Sequence, residues 1–232
     1  MAFDIGAIGF DADDTLWHNE RVFKLTQERF AELLAPHADV PDLDAQLLAA
    51  ERRNIGQYGF GVKGFVLSMI ETALEVTEHQ VPGAVIGDLI AAGQEMLSHP
   101  IDLLPHAEDA VRTAKDRGPV VLITKGDLLD QERKLAQSGL GDLFDGVEIV
   151  SDKTPAIYAR IFEAFGGADR GIMIGNSMKS DVLPMIDAGG VGVFVPHDMA
   201  WDLEHADAPE DHPRYAALSD LGALPAFLRL RD

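Results

Sequence analysis

The chain has 232 residues, 47% of them hydrophobic, no cysteine, and a formal net charge of −20. That supplies one good core, or one core with a small accessory domain, and it excludes disulfides and thiolate metal sites. The acidic balance disfavours nucleic acid and anionic membranes as partners, and an anionic substrate would need local cations to bind against it; solubility alone also accounts for such a surface.

No run of about 18 or more apolar residues suggests a membrane span. The start, "MAFDIGAIGF", has no basic region and carries Asp4, unlike a signal peptide. A cytoplasmic location is the default expectation. The chain has no low-complexity tract and no repeat of solenoid period.

The first element is the apolar run Ile5 to Phe10, read as a buried strand. It ends in Asp11, Ala12, Asp13, Asp14 and Thr15. Side chains two apart on an extended segment share a direction, so Asp11 and Asp13 can converge on one point. Close carboxylates push each other's pKa apart, a cost that a divalent cation between them removes. A helix N-cap or Asx-turn cluster is the alternative.

From about Leu16 to Gly118 the chain is too long for one crossover. It carries the helical patterns "RVFKLTQERFAELLA", "LDAQLLAAERRN", "KGFVLSMIETALEV" and "AVIGDLIAAGQEML". The next, "AEDAVRTAKDRG", suits a helix packed on a sheet. Residues 18–98 therefore read as an all-helical insertion, a lid, and residues 1–17 and 99–232 as the core. An insertion at this strand tip lies over the carboxyl end of the sheet, where α/β proteins bind ligands. Within the insertion Leu67, Met69 and Ile70 read as apolar core. The loop "YGFGVKGF" sets Lys63 among Gly59, Gly61 and Gly64, as a substrate-specificity loop or an ordinary turn.

Further strands are read at Val120 to Thr124, Val147 to Val150, Ile172 to Gly175 and Val191 to Val195, with helical patterns between them. This rhythm predicts an α/β fold, a Rossmann-like open parallel sheet with helices on both faces. At the second strand end Thr124 offers a hydroxyl and Gly126 allows close approach to an anion, or the segment caps the next helix. After the third, Lys153 precedes a helix starting near Pro155. A lysine there makes sense where an anion must be held, or as a solvated loop residue. After the fourth, Asn176 and Asp181 are oxygen donors suited to Mg²⁺, or caps. The segment "HDMAWDLEHADAPEDHPRY" groups His197, His205 and His212 without compact zinc spacing and reads as an acidic surface loop. "LSDLGALPAFLRL" reads as a final amphipathic helix on the sheet.

Four strand ends in order thus carry complementary polar groups. The pattern resembles the haloacid dehalogenase superfamily, in the phosphatase-like subgroup with a helical cap between the first two motifs. "FDADDTLW" is similar to the first motif; Thr124 falls at the second, Lys153 at the third and "GNSMKSD" at the fourth. The resemblance spans essentially the whole chain. It implies a Mg²⁺-dependent phosphatase acting on a small phosphorylated metabolite, as monomer or homodimer. Asp11 would be the nucleophile and Asp13 the general acid and base, its carbonyl also holding Mg²⁺. Thr124 and Lys153 would hold phosphoryl oxygens. Asn176 and Asp181 would complete the metal site with Asp11 and Asp13, while Thr15, Lys125, Gly126 and Lys63 would contact substrate.

Two residues depart from the pattern. Asn176 stands where the family usually has Asp, which implies weaker metal affinity. Lys125 stands where Asn often follows, as a cation near the substrate or a solvent-facing residue. Dehalogenation is disfavoured, because dehalogenases of the family work without metal and lack an acid at the position of Asp13. A phosphonate hydrolase using Lys63, a sugar-phosphate mutase and a catalytically weakened phosphate-ester-binding regulator are the alternatives.

Overall fold

The computed structural model describes residues 4–199 and 201–230. Six parallel strands form one sheet: β1 Ala7–Phe10, β2 Val120–Lys125, β3 Gly146–Val150, β4 Gly171–Gly175, β5 Val191–Phe194 and β6 Tyr215–Ala217. Their order is β3-β2-β1-β4-β5-β6. The chain runs outward from β1 on one side and from β4 on the other, so the loops after these two strands diverge at the switch point where such sheets bind ligands.

The continuous apolar runs follow from burial on both sheet faces. Ile8, Phe10, Val120, Leu122, Ile172 and Ile174 enter one core; Ala7, Val121, Ile123 and Met173 enter the other. The first core packs against α5 (Ala107–Lys115) and the final helix α9 (Leu224–Arg229). The second packs against α7 (Pro155–Glu163), through Tyr158, Ile161 and Phe162, and against Met185 of α8 (Leu183–Asp187). Two strand readings change. β3 is an edge strand with Val147 exposed, not a buried one. β6, a three-residue strand without a β-branched residue, was not anticipated; it pairs with β5 through Gly192 and Tyr215.

The chain divides into two compact units. The sheet unit takes the chain up to Glu20, Ile101–Lys125, and Gln131 onward. The helical unit takes Arg21–Pro100 and Gly126–Asp130. Its helices are α1 (Glu20–Leu34, from the second residue), α2 (Leu43–Tyr58), α3 (Val62–Val76) and α4 (Gly83–Ser98), around a core of Phe30, Leu34, Leu47, Phe65, Met69 and Leu89. At Gly93 of α4 a methyl group would collide with Val66, so glycine lets α3 and α4 approach closely. Of the apolar trio read as core, Met69 is fully buried and Ile70 is packed at the margin, but Leu67 faces solvent. Two residues before Met69 on a helix lie on a different face, which is the physical reason. The Gly126–Asp130 segment opens α6 (Leu128–Ser138) and was read from the sequence as core. Among the described residues, no helix is long and apolar enough to cross a membrane.

Candidate active site

β1 delivers Asp11 to its tip, where the backbone N–H still bonds Ile174 of β4. The Asp11 side chain is buried. Its Oδ1 accepts from Lys153 Nζ at 2.5 Å and its Oδ2 from Thr15 Oγ1 at 2.9 Å. Lys153, also buried, donates a second bond to Asp181 Oδ1 at 2.6 Å. Asp181 is completely buried, and its Oδ2 accepts from the Ser177 backbone N–H at 2.9 Å. Gly175 makes this possible, because a methyl group there would overlap the Asp181 carboxylate. Asp181 sits on a π-turn over Met178–Val182 that α8 continues.

Two buried carboxylates therefore share one buried ammonium. Burial, opposed by Lys153 and reinforced by Asp181, raises Asp11 from 3.8 to about 7. Burial alone would lower Lys153, but the two aspartates outweigh it and hold the ammonium above its ordinary value. The cluster carries one negative charge too many for a desolvated site, and that excess calls for a proton or a further cation.

Asn176 shows where the cation would go. With its amide nitrogen turned inward it donates to Thr15 Oγ1 at 3.2 Å, Asp11 Oδ2 at 3.2 Å and the Asp13 carbonyl at 3.3 Å; the amide oxygen in that position would face acceptors only. One donor thus bridges these oxygens at 3.2–3.3 Å, close to the roughly 2.9 Å between neighbouring ligands of an octahedral Mg²⁺ with bonds of 2.0–2.1 Å. Asp11 Oδ2, the Asp13 carbonyl and, with the amide turned over, the Asn176 oxygen fit a hard divalent cation.

The Asp13 carboxylate does not converge with that of Asp11. It accepts from Trp17 Nε1 at 2.7 Å, Gln131 Nε2 at 2.8 Å, and Lys134 Nζ at 3.0 and 3.1 Å. The chain leaves the extended conformation here: Asp14 has φ 60°, and Asp13 pairs with Trp17 in a short bridge. The two-residue spacing argument holds only for an extended strand, and this one stops at Phe10. The capping reading does apply to Asp14, whose carboxylate accepts from the N–H groups of Asn19 and Glu20 at the start of α1. Gln131 and Lys134 were missed by sequence reasoning. Their three-residue spacing in α6 places both on one helix face, the only trace of them in the sequence. Gln131 Oε1 is buried without a hydrogen-bond partner among the described residues, while its Nε2 also holds the Lys125 carbonyl at 2.6 Å.

Thr124 is buried at the β2 tip, its hydroxyl making only a long 3.3 Å bond to the Lys125 carbonyl. Lys125 neither faces solvent nor lies open. Its Nζ donates to Ser180 Oγ at 2.8 Å and Glu204 Oε1 at 2.7 Å. Glu204 Oε2 in turn accepts from Ser177 Oγ at 2.5 Å. Burial opposes ionisation of Glu204, but Lys125 and the Ser177 hydroxyl more than offset it and leave the carboxyl below its usual range. Glu204 comes from the loop read as an acidic surface segment. Lys63 and Gly126 belong to the helical unit, where Lys63 Nζ lies 3.2 Å from Asp127 Oδ1 on a largely exposed side chain. The sheet unit itself gathers Asp11, Thr15, Lys153, Asn176, Asp181 and the Asp13 backbone.

A haloacid dehalogenase-like hydrolase model matches residues 5–189. The chain belongs to this family of hydrolases. A haloacid dehalogenase-like hydrolase from Xanthomonas campestris is 40% identical, with 99% of this chain and 92% of that one covered and a TM-score of 0.88. The magnesium-bound HAD-hydrolase YfnB from Bacillus subtilis is 18% identical over 96% of this chain and 97% of that one, at a TM-score of 0.67. A predicted phosphoglycolate phosphatase from Haemophilus somnus 129pt is 15% identical over 99% of both chains, also at 0.67. 2-Haloacid dehalogenases share the fold as well. Among curated proteins, none matches the sequence. The Rossmann-like core of this chain is the frame it shares with the haloacid dehalogenase-like hydrolases.

Proposed function

We propose that this hydrolase is a Mg²⁺-dependent phosphatase that releases phosphate from a small phosphorylated metabolite. The observation that carries the reading is the buried Asp11–Lys153–Asp181 array, with its surplus negative charge beside three convergent oxygens. The magnesium in the YfnB relative supports it. Bound at Asp11 Oδ2, the Asp13 carbonyl and the Asn176 oxygen, Mg²⁺ would supply positive charge to a nucleophile and substrate that otherwise repel.

Asp11 attacks phosphorus, the ester P–O bond breaks, and an aspartyl-phosphate forms. Asp13, after taking up a proton from solvent, gives it to the leaving oxygen, then takes one from the water that cleaves the intermediate. To do so its carboxylate must exchange the Lys134 and Gln131 donors for the reacting oxygen. Lys153 balances charge on the phosphoryl oxygens, and the Thr124 hydroxyl donates to them.

The test is phosphate release from an aryl phosphate and a panel of phosphorylated metabolites, with Mg²⁺ and with chelator, beside chloride release from 2-chloropropionate. Phosphate release that requires Mg²⁺ is expected. Metal-independent chloride release, or tight binding of esters with no turnover, overturns the reading.

Asn176→Asp is expected to lower the Mg²⁺ concentration for half-maximal activity, on the order of tenfold, because a charged oxygen replaces a neutral one. An unchanged or raised requirement, read from a Mg²⁺ titration of turnover, would remove Asn176 from the metal site.

A further inference from the structure

The loop after β1 and the loop after β5 bring together three side chains that the phosphatase reading does not use. Asp14, His18 and His197 each present one ligand atom, and these atoms all lie within 4.8 Å of one another. His197 Nε2 is 3.5 Å from Asp14 Oδ1, and the two imidazole rings meet edge to face with centroids 5.7 Å apart. We propose that these three residues form a second metal centre, selective for a borderline divalent ion such as Zn²⁺, Co²⁺ or Ni²⁺ over Mg²⁺.

The hydrogen bonds around the cluster orient it for that purpose. His197 Nδ1 meets both the carbonyl and the backbone N–H of Met199, at 2.9 and 3.2 Å, and in the tautomer that protonates Nδ1 the carbonyl accepts from it. In that tautomer the Nε2 lone pair faces the Asp14 carboxylate. Two electron-pair donors at that distance need a proton or a cation between them. A backbone carbonyl on the far nitrogen is the usual support of a metal-bound histidine. The Asp14 carboxylate is fixed by the backbone N–H groups of Asn19 and Glu20, which leave it lone pairs to spare. His18 is anchored through its backbone N–H on the Asp102 carbonyl, while its ring has no hydrogen bond among the described residues.

The spacing agrees with tetrahedral coordination. Bonds of 2.0–2.1 Å set neighbouring ligand atoms about 3.3 Å apart; Asp14 and His197 stand at 3.5 Å, and His18, within 4.8 Å of both, reaches that separation by side-chain rotation. Three protein ligands leave a fourth position for water. Two imidazoles favour a borderline ion, whereas Mg²⁺ prefers oxygen alone. Asp14 and His197 are largely buried and His18 half-buried, which leaves an entry path on one side. The ion would tie the β1 tip to the segment that leads on to Glu204. Spacing in the sequence had grouped His197 with His205 and His212 instead, because ligands on two different loops have no fixed separation along the chain.

The test is a Co²⁺ titration of the metal-free protein in saturating Mg²⁺, read by visible absorption and by the thermal unfolding midpoint. One equivalent of Co²⁺ is expected to bind with a tetrahedral spectrum and to raise the midpoint. His18→Asn and His197→Asn are each expected to weaken binding by at least about tenfold, and His205→Asn and His212→Asn to leave it unchanged. No Co²⁺ binding, competition by Mg²⁺, or an isotherm indifferent to His18→Asn overturns the proposal. These readouts do not involve phosphate release, so they fail or succeed independently of the phosphatase assignment.

Discussion

Lys153→Met is expected to destabilise the metal-free protein by about 3–5 kcal/mol at neutral pH and to abolish turnover, because it leaves buried carboxylates without their cation. The methionine keeps most of the apolar stem, so the change isolates the ammonium. Asp11 and Asp181 would then face each other at the end of β1 with Thr15, the Asn176 amide and the Ser177 N–H, all uncharged, to bond them. Their folded-state pKa values would rise further. A carboxyl whose folded pKa exceeds its unfolded one stabilises fully below the unfolded value and loses that stability as pH rises. The penalty of Lys153→Met should therefore be larger at pH 8 than at pH 5, measured by denaturant unfolding at each. A penalty under about 1 kcal/mol, or one that grows toward acid, would refute the charge argument.

The same linkage acts on the unmodified protein without metal. Asp11 is raised from 3.8 to about 7 by burial, so its contribution to stability is complete below pH 3.8 and falls away toward pH 7. Under the proposed function Mg²⁺ would take the place of that proton, and its stabilising effect should grow over the same window.

Asp11→Asn is expected to slow phosphate release by at least about a thousandfold while leaving the fold intact. The amide cannot form the acyl-phosphate, yet it fits the same space. Its oxygen can accept from Lys153, and its nitrogen can donate to Thr15 Oγ1. Removing one of two buried carboxylates also cancels the surplus charge, so stability at pH 8 without metal should hold or rise. Single-turnover phosphate release and denaturant unfolding of one preparation check both halves. Activity within tenfold of the parent, or a loss of more than about 2 kcal/mol, would make Asp11 a structural residue instead.

Much of this was legible in the chain alone. The inner strands announced themselves because both of their faces are buried, so every position is apolar. β6 escaped notice because three residues at an edge need no such run, and β3 looked more buried than it is because apolar residues sit comfortably on a half-exposed edge. Leu67 and Met69 look alike in composition, and only the helix face separates them.

At the site, the sequence by itself determined which chemical groups stand at the strand ends: Asp11 and Asn176 directly follow β1 and β4, Thr124 closes the buried part of β2, and Lys153 lies in the short turn after β3. Only the tertiary structure decided whom each group meets. Asp13 turns to Lys134 and Gln131, Lys125 to Glu204, and Asp14 to His197. Side-chain partners across loops depend on backbone turns such as the one at Asp14, on helix faces and on close packing, and none of these leaves a fixed spacing along the chain.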